Sequence, residues 1–262
     1  MNALITNETD RITKKAWEKN WENITIPEVL SIFDYVRVKK QMEIFCRVLP
    51  KPGKILEGGC GLAPYLIRLR QLGYDVQGVD YNEGPVLKVR QFDPTLPVSV
   101  GDVTQLPFPD ASFDGYLSLG VIEHFFEGPQ KAIAEAFRVL KPGAVFVVTV
   151  PTRNFFMDLK APINAIKSNK FLRKLFKKPL DNHYWEQYFK RKRLIQYLNE
   201  GGFQVKEVHP LDHSHTLVAF SNFFRDKSTY DEASPLAIKI SYFFEKYLAW
   251  QTCSQMCLIC YK

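Results

Sequence analysis

Short apolar runs alternate with helical stretches through the middle of the chain, starting after a Pro-Lys-Pro-Gly break at Pro50–Gly53. Lys54–Glu57, Asp75–Asp80, Val98–Val100, Phe113–Leu119 and Ala144–Val150 read as strands. Tyr65–Leu72, Val86–Phe92 and Pro129–Leu140 read as the helices among them. Strands alternating with helices predict βαβ units, a parallel sheet and right-handed crossovers. The turn Lys141-Pro142-Gly143 opens the strand at Ala144, whose sequence, AVFVVTV, marks it as buried.

Residues 1–50 read as mostly helical. Trp17 and Trp21 lie four apart on one helical face, and Phe33, Val36, Lys40 and Ile44 follow at roughly helical spacing. The regular alternation stops at Pro151. A basic, aromatic-rich insert runs from there to Tyr188. A helix over Lys192–Glu200 then ends at Gly201-Gly202, a common helix stop. Phe203–Val208 reads as a strand, Leu236–Ala249 as an apolar helix and Cys253–Tyr261 as a last strand.

Composition narrows the class. A chain of 262 residues with 46% hydrophobic content can bury a substantial core. Its apolar runs are too short to cross a bilayer, and its N-terminus shows no basic start followed by an apolar stretch. Five cysteines are few for a disulfide scaffold, so a reducing cytoplasm is expected. The net charge of +7 is concentrated: Lys160–Lys178 holds seven basic residues and no acidic one. That pattern predicts one local basic surface rather than a protein that is basic throughout.

The chemistry starts at Ile55–Pro64, ILEGGCGLAP, where a strand ends in glycines and a helix follows. Glycines allow the backbone to turn tightly and to approach a ligand; a dinucleotide, a nucleotide phosphate or S-adenosylmethionine would all suit such a loop. Asp80 closes the second strand, where a carboxylate can accept both hydroxyls of a ribose. Asp102 follows the third strand, where it can accept the adenine amino group while Val103 packs on the ring. Taken in order on successive strand ends, these acids point to one adenosine.

With these segments in view, the chain resembles the class I S-adenosylmethionine-dependent methyltransferases from about Lys54 to Pro151. The first motif of that family, an acid before Gly-x-Gly-x-Gly, reads Glu57-Gly58-Gly59-Cys60-Gly61-Leu62-Ala63, with Ala63 in place of the last glycine. LPFPDASFDGYLSLGVIEHF and AFRVLKPGAVFVVTVP are similar to the fourth-strand and fifth-strand regions of the family. The resemblance implies a single α/β domain with a Rossmann-like, seven-stranded, mostly parallel sheet, helices on both faces and an antiparallel last strand. Residues 1–50 would be a helical lid carrying Trp17 and Trp21, and 51–151 the cofactor-binding core. Residues 152–188 would be a basic acceptor-side insert, and 189–262 a helix–strand part with a second helical insert. S-adenosylmethionine would be held by Glu57, Gly58, Gly59, Cys60, Gly61, Asp80, Tyr81, Asp102, Val103 and Leu119.

The fold does not name the acceptor. Methyl transfer is an in-line displacement on carbon that needs alignment and a dry site, and a base when the acceptor is a hydroxyl. Two histidines are the catalytic candidates: His124, beside Glu123 just past the fourth strand, and His183 in DNHYWEQYF. Metal-dependent relatives resemble this region but carry Glu-x-x-Glu-His; here the first glutamate is Gly120, so no metal is expected. On a helix, Phe171, Leu172, Leu175 and Phe176 would form an apolar face, with Lys170, Arg173, Lys174, Lys177 and Lys178 opposite. That face suits an anionic membrane or an acidic acceptor; no RNA-binding module accompanies it. The expected reaction is methylation, preferentially on oxygen, of a small molecule, glycan or lipid. RNA or protein methylation, or cofactor binding without turnover, is the alternative.

Cys253, Cys257 and Cys260 form a C-x3-C-x2-C pattern that resembles the iron–sulfur signature of radical S-adenosylmethionine enzymes. On a strand, Cys253 and Cys257 share a face and Cys260 points the other way, so three thiolates could not meet at one cluster. The segment is read instead as the last strand of the sheet, with cysteine as a small buried hydrophobe.

Overall fold

The structure, a computed structural model, describes residues 13–159, 186–226 and 232–262. Seven strands form one sheet: β1 Lys54–Gly58, β2 Asp75–Asp80, β3 Val98–Val100, β4 Phe113–Leu119, β5 Leu140–Pro151, β6 Gln204–Leu211 and β7 Gln255–Tyr261. Their order across the sheet is β3-β2-β1-β4-β5-β7-β6. The first five pair in parallel, and β7 runs antiparallel to both β5 and β6. The chain winds one way from β1 to β3 and the other way from β4 onward. A crevice therefore opens at the carboxyl ends of β1 and β4, where open α/β sheets bind ligands.

Helices cover both faces. The described helices before β4 are α1 (residues 13–22), α2 Ile26–Leu30, α3 Val36–Val48, α4 Pro64–Gln71 and α5 Glu83–Phe92. After β4 comes α6 Gln130–Val139, and beyond the insert lie helices at Arg191–Glu200, His213–Phe220, Pro235–Tyr247 and Ala249–Thr252. Local chemistry marks several starts. Thr25 and Glu28 close a capping box on α2, Asn82 accepts from the Gly84 N–H to start α5, and Ser234 caps Pro235–Tyr247.

The two faces bury separate cores, and β7 shows the division. Cys257 and Ile259 pack into the layer with α3 and α4, while Met256, Leu258 and Cys260 pack into the layer with α6 and Arg191–Glu200. Each fully buried Leu, Ile or Met side chain stabilises by about 1.5–3 kcal/mol. Cys257 and Cys260 thus lie on opposite sides of the sheet.

Three local readings differ from the structure. Cys253 precedes the last strand: its N–H donates to the Ala249 carbonyl at 3.0 Å, ending the short helix Ala249–Thr252. The fifth strand starts at Leu140, which pairs with Phe113. A register shift follows, with Gly143 at φ 76°, so the Lys-Pro-Gly turn is an irregularity inside the strand. Along α3 the buried stripe is Val38, Met42 and Phe45, one face round from Val36, Lys40 and Ile44.

Candidate functional site

The loop after β1 is shaped by what it must avoid and what it must hold. A Cβ on Gly58 would lie 2.1 Å from the Tyr116 hydroxyl, and one on Gly59 (φ 73°) 2.5 Å from Val121. The Gly59 and Cys60 N–H groups both donate to the Val79 carbonyl, at 2.8 and 3.0 Å. The Gly61 N–H donates to Asp80 Oδ2 at 2.8 Å, and the Asn82 N–H to Asp80 Oδ1 at 2.8 Å. Asp80 is thereby clamped by backbone, with one acceptor position of each oxygen still available. Ala63, which stands where the resemblance expects glycine, has φ 55°, the left-handed conformation glycine favours. The loop shape is kept, and Pro64 starts α4 at once.

A cavity of about 860 Å³ opens at the carboxyl ends of the strands. Among the described residues, Glu57, Gly59, Cys60, Asp80, Tyr81, Asp102, Val103 and Leu119 border it. Gly58 and Gly61 do not; they stand behind the wall, one against Tyr116 and the other against Trp21. Asp102 is exposed, and its Oδ1 accepts from both the N–H and the hydroxyl of Thr104 at 2.7 Å, which leaves Oδ2 free of those bonds. Trp17 and Trp21 stack at 5.4 Å and border the cavity from α1. A second hollow lies at the amino ends of the strands, where Lys141 and Asp114 already pair at 2.8 Å.

Burial sets the charges in this space. It pushes Glu57 up to about 8, with the Asp80 charge adding to the effect, and pushes Glu123 up to about 8, with Glu186 adding. Asp80 is raised by burial and pulled back by its bonds from Asn82 and Gly61. Burial raises Glu186 and carries Cys60 well above the usual thiol range. Among the described residues, Glu57 Oε2 and Glu123 Oε2 are buried without a hydrogen-bond partner.

The far side of the cavity holds Glu123 and His124, on a single helical turn after β4. His124 Nε2 lies 4.0 Å from Glu123 Oε1, and the Trp17 ring meets the His124 ring edge-on at 5.3 Å. Three residues the sequence reading did not single out join them: Glu186, Asp212 and His215. Glu186 arrives because the Gln187 N–H donates to the Glu123 carbonyl at 2.9 Å. It belongs to the same segment as His183, and that proximity was its one signal. Asp212 has φ 67° and pairs with Arg37 at 3.4 Å, contacts set by tertiary packing that leave no mark in the sequence. His183 and the basic run Lys170–Lys178 lie outside the described residues. Among the described residues, no three His, Cys, Asp or Glu side chains are grouped to hold a metal ion.

The site fits S-adenosylmethionine. The unpartnered Glu57 oxygen is placed to accept from an ammonium group. Asp80 keeps acceptor positions that vicinal hydroxyls could fill, and the Asp102–Val103 pair offers an acceptor beside an apolar surface. Two acids at strand ends separated by a glycine loop have the donor–acceptor pattern an adenosine with an amino-acid tail requires.

Comparison with known proteins agrees. A family model described as a methyltransferase domain matches residues 56–148. A protein of Mycolicibacterium smegmatis named as a probable S-adenosylmethionine-dependent methyltransferase is 39% identical over 111 residues, which is 42% of this chain and 43% of that one. An S-adenosyl-L-methionine-dependent Diels-Alderase of Talaromyces variabilis is 34% identical over 124 residues, 44% of this chain and 42% of that one. The chain spans about half the length of the curated relatives it matches. Among solved structures, a SAM-dependent methyltransferase from Archaeoglobus fulgidus superposes with a TM-score of 0.57 at 16% identity, over 86% of this chain and 93% of that one. The matched domain, the strand order and the cavity at the strand ends make residues 56–148 similar to the core of class I S-adenosylmethionine-dependent methyltransferases.

Proposed function

We propose that this chain transfers a methyl group from S-adenosylmethionine to a small acceptor that enters beside Glu123 and His124. One observation carries the reading: a single cavity joins the Glu57–Asp80–Asp102 wall to the Glu123–His124–Glu186 wall. When bound, the cofactor supplies a methyl group on a positively charged sulfur. Asp80 would accept from the ribose, Glu57 from the amino group and Asp102 from the adenine. Trp17 and Trp21 exclude water from the space between the walls. For the hydroxyl acceptor expected from the sequence, His124 or Glu123 would take the proton.

The test is calorimetry with S-adenosylmethionine, followed by mass spectrometry of acceptor mixtures incubated with isotopically labelled cofactor. Absence of cofactor binding rejects the site. Binding without any labelled product favours a second reading, chemistry that keeps the methyl group in place, as the name of the Talaromyces relative suggests.

Peripheral contact with an anionic membrane is a proposal of the same standing. It draws on the seven basic residues of Lys160–Lys178 and on the exposed Tyr242, Phe243, Tyr247 and Trp250. No helix among the described residues is long and apolar enough to cross a membrane. Flotation with anionic vesicles that fades as salt rises supports the contact; equal flotation with neutral vesicles rejects its electrostatic basis.

A further inference from the structure

The acceptor end of the cavity combines buried carboxyl groups with aromatic rings. Glu123 is 2% exposed and borders the cavity, and among the described residues its Oε2 has no partner. Glu186 borders the same space and is tied to it by the Gln187–Glu123 backbone bond. The rings of Trp17, Phe125 and Phe126 line the surrounding wall. Lys131 is the one Lys or Arg among the described lining residues; it sits at the exposed rim, 3.6 Å from Glu127. The acids on the opposite wall already have work to do on the cofactor, and Asp212 has Arg37. Among the described residues, no Lys or Arg pairs with Glu123 or Glu186, and the nearest cationic candidate is His124, 4.0 Å from Glu123 Oε1.

We propose that the acceptor is an amine, bound as an ammonium ion between Glu123, Glu186 and the ring of Trp17. This rests on the methyl-transfer reading above and replaces oxygen with nitrogen as the acceptor atom. A carboxylate out of water is costly until a cation or a full set of donors completes it. An ammonium supplies both the charge and the N–H donors, and an aromatic face attracts it further. A neutral alcohol would give one donor and leave two carboxylates facing each other.

The same geometry handles the proton. The bound ammonium gives one proton to the Glu123 carboxylate, and the nitrogen lone pair is released. That pair forms the N–C bond to the methyl carbon of S-adenosylmethionine as the C–S bond breaks, with its electrons remaining on sulfur. The positive charge passes from sulfur to nitrogen, the methylated ammonium leaves, and Glu123 returns its proton to water. In the ligand-free protein burial pushes Glu123 up to about 8; the bound ammonium supplies the counter-charge that lets it ionise, and its raised proton affinity then suits it to take the proton back during transfer. Glu186, His124 and Tyr188 are the other ionisable groups beside it.

The experiment uses the full chain saturated with S-adenosylhomocysteine and two probes of one shape, 2-phenylethylamine and 2-phenylethanol, titrated by calorimetry. The amine is expected to bind at least about tenfold tighter than the alcohol. In Glu123→Gln and in Glu186→Gln that preference is expected to fall to about twofold, with S-adenosylmethionine affinity retained. A Trp17→Phe variant is expected to lose the fluorescence change that accompanies amine binding. Equal affinity for the two probes, binding of neither, or a preference untouched by both Gln variants overturns the amine assignment. Should Glu123→Gln fail to fold, the half-buried Glu186→Gln decides alone. Loss of S-adenosylmethionine binding by the unaltered protein would reject the methyl-transfer reading instead, so the two failures are told apart.

Discussion

The Gly61 N–H donates to Asp80 Oδ2 at 2.8 Å, so the glycine loop after β1 and the acid at the end of β2 act as one unit. Replacing Asp80 by Ala removes the acceptor for Gly61 and Asn82 as well as the proposed ribose contact. Such losses cost about 1–3 kcal/mol each. Asp80→Ala is expected to weaken S-adenosylmethionine binding by at least about tenfold and to lower the melting temperature. Calorimetry and thermal unfolding measure the two effects, and undiminished affinity would refute the assignment.

Gly58 and Tyr116 define a second test, independent of ligand. A Cβ at Gly58 would meet the Tyr116 hydroxyl at 2.1 Å inside the sheet's core. Gly58→Ala should therefore cost about 1–3 kcal/mol in denaturant unfolding. In a Tyr116→Phe background the nearest clashing atom is gone, and part of that loss should return. Strictly additive costs would mean the contact is not the cause.

Stability should fall between mildly acid and mildly alkaline pH in the ligand-free protein. Glu57 and Glu123 are both raised from 4.5 to about 8 by burial. The folded state holds their protons across that window while the unfolded state has released them. Their contribution is thus fully present below pH 4.5 and is lost as pH rises through 8, with a slope of up to about 1.4 kcal/mol per pH unit for each group. Glu207, held down to about 2 mainly by its bond from Arg47, titrates outside the window. Melting curves of the unaltered protein and of Glu123→Gln between pH 5 and pH 8.5 should diverge, with the variant flatter. Parallel curves would show that Glu123 keeps its ordinary proton affinity.

Thiol chemistry separates the cysteines. Cys46 is exposed, and Cys60, Cys253, Cys257 and Cys260 are buried. Burial holds Cys257 up to about 12 and Cys253 up to about 11, so few thiolates are present at neutral pH. A thiol reagent should find one fast group in the native protein and five in denaturant. Four fast groups would mean that the C-terminal segment is open.

The alternation of apolar runs and helices is a local signal, and it placed β1 to β5 and their crossovers within a residue or two, with the starts of α5 and β5 as the exceptions. The acids at strand ends were legible for the same reason: Glu57, Asp80 and Asp102 follow directly from where strands stop. Cys253 misled because a strand and the end of a short helix look alike over so few residues. Asp212 and His215 have no sequence signal and Glu186 only its nearness to His183, since a backbone bond from Gln187 and an ion pair from Arg37 bring distant segments to one cavity. Tertiary contacts of that kind have no sequence period.

β7 is the last strand of the sheet to be synthesised, yet it sits inside the sheet, between β5 and β6. Until residues 255–261 leave the ribosome, both of those strands present unpaired edges, and Ser254 and Gln255, which complete the cavity wall, are missing. A nascent chain can therefore wind its first five strands early but cannot close the sheet or present a finished cofactor pocket. Chaperones would meet it as an open-edged intermediate until β7 pairs on both sides.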